Sequence, residues 1–254
     1  MRILATYNIK GGVGKTAAAV NLGYLAARGG YRTLIWDLDP QGAATFLLRV
    51  RPRVKGGGRA LIKGRLALAD AVKGTDFPRL DLLPADFTYR NLDLLLDRAK
   101  RPSRRLATLL QPLAAEYDVV ILDCPPGISL LSESVLRAAD ILLVPLIPAT
   151  LSVRTLDQLT EFTAGLRRHR PRLLAFCSMV DRRKRLHAEV AADLRDHRPE
   201  IAATAAIPAL SVIEQMAVRR APVPEFAPRS RAAQSYESLW DEVVRRCGLP
   251  PAAQ

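Results

Sequence analysis

Short apolar runs without polar alternation recur along the chain, and stretches with helical spacing separate them. The runs at 3–7, 33–36, 80–83, 119–122, 141–144 and 173–176 predict strands, and 16–28, 88–98, 103–116, 129–138, 153–168 and 186–196 predict helices. Strands that lack a polar side, alternating with helices, predict a mostly parallel sheet with helices on both faces. The fold class is therefore doubly wound α/β, and ligands are expected at the carboxyl ends of the strands. Residues 1–254 read as a single domain of this kind.

One segment breaks the pattern. Residues 49–66 hold Gly56-Gly57-Gly58 and seven basic residues, and read as a basic, glycine-rich insertion, a loop or partly disordered. Near the end, Tyr236, Leu239, Trp240, Val243, Val244 and Cys247 form an apolar helical stripe. Its polar side mixes Glu237, Asp241 and Glu242 with Arg245 and Arg246, whereas a membrane-surface helix should be basic there. Packing against the domain is expected instead.

Composition narrows the classes. At 49% hydrophobic and 25% charged residues, the chain is no disordered polyelectrolyte. The cysteines (Cys124, Cys177, Cys247) form no CxxC pair, which excludes a disulfide scaffold and fits a reduced compartment. His169, His187 and His197 have no ligand or catalytic spacing and are expected on the surface. No apolar run reaches the ~18 residues of a membrane span. The start at 1–7 leads straight into a glycine loop, so no signal peptide is expected.

The phosphate chemistry is more specific. Between the first strand and helix stands Lys10-Gly11-Gly12-Val13-Gly14-Lys15-Thr16. Glycines let successive backbone N–H groups curl around phosphate oxygens, and the helix N-terminus adds partial positive charge. Lys15 would reach the β- and γ-phosphates, and the Thr16 hydroxyl would bind Mg²⁺. The common GxxxxGK[ST] pattern fails at Ile9; the match is KGGxGK[ST], with an extra lysine at the loop start. Asp123 ends an apolar strand beside this loop, where a carboxylate can hold Mg²⁺ through water.

This loop resembles that of the ParA/MinD family of P-loop ATPases with a deviant Walker A motif, and other segments agree in order. Asp37-Leu38-Asp39-Pro40-Gln41-Gly42 follows the second strand, and 119–126 resembles the Walker B segment. Residues 179–193, Ile207-Pro208 and 230–236 are similar to the C-terminal pattern of ParA-like members. The resemblance spans nearly the whole chain except 49–66. It implies an ATPase whose cofactors are ATP and Mg²⁺, with slow, partner-stimulated turnover. It further implies phosphate contacts from Lys10, Gly11, Gly12, Val13, Gly14, Lys15, Thr16 and Ala17, and metal contacts from Thr16, Asp37 and Asp123. By the same resemblance Asp39 positions the attacking water and Lys10 reaches the nucleotide of a second copy, so the ATP form is a homodimer. The adenine would lie near Met179 and the Pro222-Val223 loop.

Three departures stand out. Ala17 replaces a frequent second threonine, Ile9 is bulky at the loop entry, and Ala209 replaces an arginine that relatives often link with DNA.

ParA-like members ride on non-specific double-stranded DNA, are released by a ParB-like activator and distribute plasmids, chromosomes or protein assemblies. The charge agrees with such a partner: 38 Lys+Arg against 25 Asp+Glu give +13, concentrated in 49–66 and 161–220. Candidate DNA contacts are Arg167, Arg168 and Arg170; Arg182, Arg183, Lys184 and Arg185; and Arg219 with Arg220. No aromatic residue interleaves them, which argues against single-strand stacking. A cytoplasmic, nucleoid-associated protein is expected. The rival reading is a MinD-like membrane-associated or purely partner-binding regulatory ATPase.

Overall fold

The computed structural model describes residues 1–166 and 169–250. Its strands are β1 (Arg2–Thr6), β2 (Thr33–Asp37), β3 (Lys73–Gly74), β4 (Leu80–Leu83), β5 (Val119–Asp123), β6 (Ile141–Leu146) and β7 (Arg172–Cys177). They form one sheet in the order β3-β4-β2-β5-β1-β6-β7. Every pairing is parallel except β3 with β4.

The helices are α1 (Lys15–Arg28), α2 (Ala43–Leu47), α3 (Gly57–Ile62), α4 (Leu68–Ala71), α5 (Leu92–Asp97) and α6 (Arg105–Leu110). After them come α7 (Leu130–Ala138), α8 (Thr150–Ala164), α9 (Arg185–His197), α10 (Ser211–Arg219), α11 (Val223–Phe226) and α12 (Arg231–Cys247). One core cluster joins α3 to α9 with one side of the sheet, and a second joins α1, α2 and α10 to α12 with the other. The central strands are buried on both sides, which is why they carry no polar alternation. Tyr236, Leu239, Trp240 and Val243 of α12 lie in the second cluster, so this apolar stripe packs inward.

The structure corrects several expectations. Residues 49–66 are not a plain loop: they contain α3, with Val54, Leu61 and Ile62 buried in the first cluster. The glycines there serve close approach rather than looseness. A Cβ on Gly57 would stand 2.6 Å from Thr88 Oγ1, and one on Gly58 would stand 3.0 Å from Leu92 and Tyr89. The expected helices at 88–98 and 103–116 are each divided, with 3₁₀ turns at Phe87–Asn91, Pro102–Arg104 and Gln111–Ala115. Pro102 and Pro112, without amide donors, explain the last two. The edge strand β3 was not foreseen, because its two exposed residues carry no apolar signal. Nor was α10, in which only Met216 is buried.

His187 is not a surface residue. It is buried, and its Nδ1 accepts a hydrogen bond from the Asp181 amide at 3.1 Å, tying α9 to the turn after β7. Among the described residues no helix is long and apolar enough to cross a membrane.

Candidate functional site

Three strand ends define the site. In the β1–β5 and β5–β2 pairings, Thr6, Asp123 and Asp37 are register partners, so all three meet at the carboxyl edge. The loop at 10–16 leaves β1 at the same edge and feeds α1, as the sequence predicts.

Anchors on both sides hold this loop. Asn8 Nδ2 donates to the Pro145 carbonyl at 2.8 Å, while its Oδ1 accepts from the Lys10 amide at 2.9 Å. Gly127 N donates to the Ile9 carbonyl at 3.0 Å, and the Tyr7 hydroxyl donates to the Gly127 carbonyl at 2.8 Å. Asn8 and Tyr7 were missed from sequence; a buried Asn at a strand end before the glycines is the one signal that could have flagged the first. Gly12 and Gly14 adopt φ of +71° and +90°, whereas bulky Ile9 is not among the positive-φ residues, so it enters the loop without that strain. A Cβ on Gly14 would also approach Ser178 Oγ to 2.9 Å. Lys15 is buried, and its Nζ donates to the Lys10 carbonyl at 3.0 Å. Burial lowers the Lys15 pKa, and the charges of Asp123, Cys124 and Asp39 oppose that shift.

The acids divide the remaining work. Asp123 is fully buried; Oδ1 accepts from the Thr6 hydroxyl at 3.2 Å, and Oδ2 has no partner within hydrogen-bond distance among the described residues. Burial raises its pKa most, the Asp37 charge adds to this, and hydrogen bonding from Thr16 opposes it. An unpartnered buried carboxylate oxygen beside a threonine hydroxyl is the donor set of a hard divalent cation, so Thr16 and Asp123 fit Mg²⁺. Asp37 is committed elsewhere. Its Oδ2 accepts from Thr45 N and Oγ1 at 2.8 and 2.7 Å, and its Oδ1 from Asp39 N at 3.2 Å. The structure thus brings Thr16 and Asp123 together and gives Asp37 to the base of α2.

Asp39 is half-buried. Its Oδ1 accepts from Gln41 N at 2.9 Å, and its charge acts on both Lys15 and Asp123. Lys10 is half-buried as well, and its ammonium forms no ion pair among the described residues.

The base-binding candidates flank α1. Asn21, buried, donates to the Ala17 carbonyl at 2.7 Å and accepts from Val223 N at 2.7 Å, pinning the 222–224 loop on α1. Pro222 and Val223 are buried, with Val223 inside the second core cluster. Met179 is 39% exposed with φ +54°, which is no core position.

The basic candidates do not share one patch. Arg170 precedes β7 and Arg182–Arg185 follow it, so the length of the strand separates them. Arg167 and Arg168 lie outside the described residues. Arg183 pairs with Asp181 at 3.0 Å and Arg185 with Glu189 at 2.6 Å, while Arg182 and Lys184 are exposed. Arg220 donates to the Phe46 carbonyl at 3.0 Å and stacks on its ring, and the Arg219 carbonyl accepts from Arg49 at 3.0 Å.

The parallel sheet, the glycine loop on α1 and the strand-end acids define a P-loop nucleotide-binding protein. The AAA-domain family model matches residues 1–175. The chromosome partitioning protein ParA of Caulobacter vibrioides is 33% identical over 97% of this chain and 95% of that protein. McdA of Cyanothece, solved with ATP, superposes with a TM-score of 0.85 at 23% identity, over 100% of this chain and 99% of that one. A cobyrinic acid a,c-diamide synthase from Mycobacterium smegmatis, solved with an ATP analogue and magnesium, gives 0.83 at 28% identity, over 96% and 94% of the two chains. The chain belongs to the ParA/MinD family of ATPases.

Proposed function

We propose that this protein is an ATP-hydrolysing dimerisation switch that binds non-specific DNA in its ATP state and positions a cargo with a ParB-like activator. The observation that carries it is the buried Asp123 Oδ2, without a hydrogen-bond partner among the described residues, beside a glycine loop whose Lys15 Nζ donates to a backbone carbonyl. Such a site is incomplete without a metal-bound polyphosphate.

The triphosphate would lie along the backbone amides of Gly11 to Thr16, with Lys15 transferring its hydrogen bond from Lys10 to a phosphate oxygen. Thr16 and Asp123 would hold Mg²⁺, which supplies charge neutralisation at the β- and γ-oxygens. Asp39, near both Lys15 and Asp123, would orient the attacking water. Lys10, with no ion pair among the described residues, is suited to reach phosphate in a second copy, where a mobile point charge stabilises the developing negative charge. Met179 and the Pro222-Val223 backbone would border the base.

The partition function of the Caulobacter relative supports the DNA and cargo parts. The inward packing of α12 removes the most evident membrane surface. Fluorescence anisotropy of a random-sequence duplex tests the reading. ATP should promote salt-sensitive binding and ADP should not; nucleotide-independent behaviour, or sedimentation with anionic vesicles in place of DNA binding, would refute it.

A further inference from the structure

The helix α3, unexpected from sequence, builds a surface of its own. Leu61 and Ile62 fix it to the core, which leaves Arg59 and Lys63 exposed. Across from them, the turn between α5 and α6 presents Arg98 and Lys100, and together with Arg65 and Arg105 these residues surround a cavity of about 540 Å³. Its floor is apolar: Ile62, Leu95 and Ala99.

No acid balances this ring. Among the described residues, none of the six cations has an ion pair. The Arg59 charge, followed by partial loss of water and the charges of Arg65 and Arg98, lowers the Lys63 pKa. Arg105 is held in place, donating to the Ile62 carbonyl at 2.7 Å. Gly64 keeps that position open, since a Cβ there would come within 3.0 Å of the Arg105 guanidinium. The cations are thus gathered at a mutual electrostatic cost by a packed scaffold, and an anion is the ligand that offsets it.

The extent of the charge says which anion. Through 98–105 the basin adjoins a second depression bordered by Arg101, Arg104, Thr108 and His169. An elongated run of cations fits a linear polyanion better than a mononucleotide. Neither depression is lined by Phe, Tyr or Trp for base stacking, and against their many cations stand a single amide, Gln111, and a single imidazole, His169, both in the second. Contact with phosphates alone, independent of sequence, is what such a surface can make.

We propose that the basin formed by α3, α5 and α6, continued through 98–105, is a docking surface for the phosphate backbone of duplex DNA. This rests on the DNA-binding reading above and gives it a location apart from Arg182–Arg185.

The test compares Lys63→Ala/Arg98→Ala with Arg182→Ala/Lys184→Ala in anisotropy titrations of a random-sequence duplex, with ATP present and over a series of salt concentrations. None of these side chains holds the core, and thermal midpoints check the fold. The basin variant should bind roughly tenfold more weakly at low salt, with the salt slope reduced by about one per residue removed. The other pair should bind within about twofold of the parent. If instead Arg182→Ala/Lys184→Ala abolishes binding and the basin variant matches the parent, the basin is overturned and DNA binding stands. If the parent itself binds no duplex with any nucleotide, the DNA reading falls and the basin with it.

Discussion

Lys15 Nζ lies 3.0 Å from the carbonyl oxygen of Lys10, so the loop's second lysine is held by the backbone of its first. The contact keeps a buried ammonium hydrogen-bonded without neutralising its charge, and Lys15 is the more available to phosphate for it. Lys15→Ala should therefore leave the nucleotide-free thermal midpoint unchanged or slightly raised. In the parent, ATP and Mg²⁺ at a hundredfold excess over Kd should add about 2.7 kcal/mol. The variant should lose that ligand-dependent gain, as scanning calorimetry would show; a large loss of stability without nucleotide would mean the contact is structural.

Asp39 anchors its own turn through Gln41 while standing near Lys15 and Asp123. Asp39→Ala should retain ATP binding and lower turnover by about 10²-fold or more, the range of general-base loss. Phosphate release against nucleotide affinity measures the split. Retained turnover would remove Asp39 from this role.

The strand-end acids predict a pH dependence. Burial and mutual repulsion raise both the Asp37 and Asp123 pKa values, so the folded state binds more protons than the unfolded chain. The stability that these two groups contribute to the metal-free, nucleotide-free protein should be fully present below the ordinary carboxyl range near about 4 and be lost as pH rises through about 6 for Asp37 and about 8 for Asp123. Each group limits the slope to about 1.4 kcal/mol per pH unit. Urea melts in EDTA at several pH values should show the decline, and Asp123→Asn should flatten it. A stability rising with pH in that window would contradict the assignment.

Packing of the 49–66 segment makes a prediction of its own. Gly57 has φ +62°, and an added Cβ would meet Thr88 Oγ1 at 2.6 Å. Gly57→Ala should destabilise the protein by about 1–3 kcal/mol, measurable by chemical denaturation. A neutral effect would mean that this region is not docked.

The buried strands and the phosphate loop were legible in the sequence because they depend on local pattern. The apolar runs ending at Asp37 and Asp123 placed both acids at the sheet edge, and the glycines of the loop placed Lys15 and Thr16. What escaped depends on distant partners. Gly56-Gly57-Gly58 reads as flexible until Thr88, Tyr89 and Leu92 are seen against it. His187 reads as exposed until the Asp181 amide meets its ring, and Asn8 reads as an ordinary polar residue until the Pro145 carbonyl arrives from β6. The layout of the basic clusters escaped for the same reason: equal charge in the sequence says nothing about which end of β7 it occupies.

In the proposed switch, ATP couples two copies of this chain. Light scattering of Asp39→Ala measures it most directly, with ATP and Mg²⁺, with ADP, and without nucleotide. Twice the 27.9 kDa chain mass is expected with ATP alone, reverting to one chain when Lys10→Ala is added. A mass that is the same in all three nucleotide conditions would contradict it.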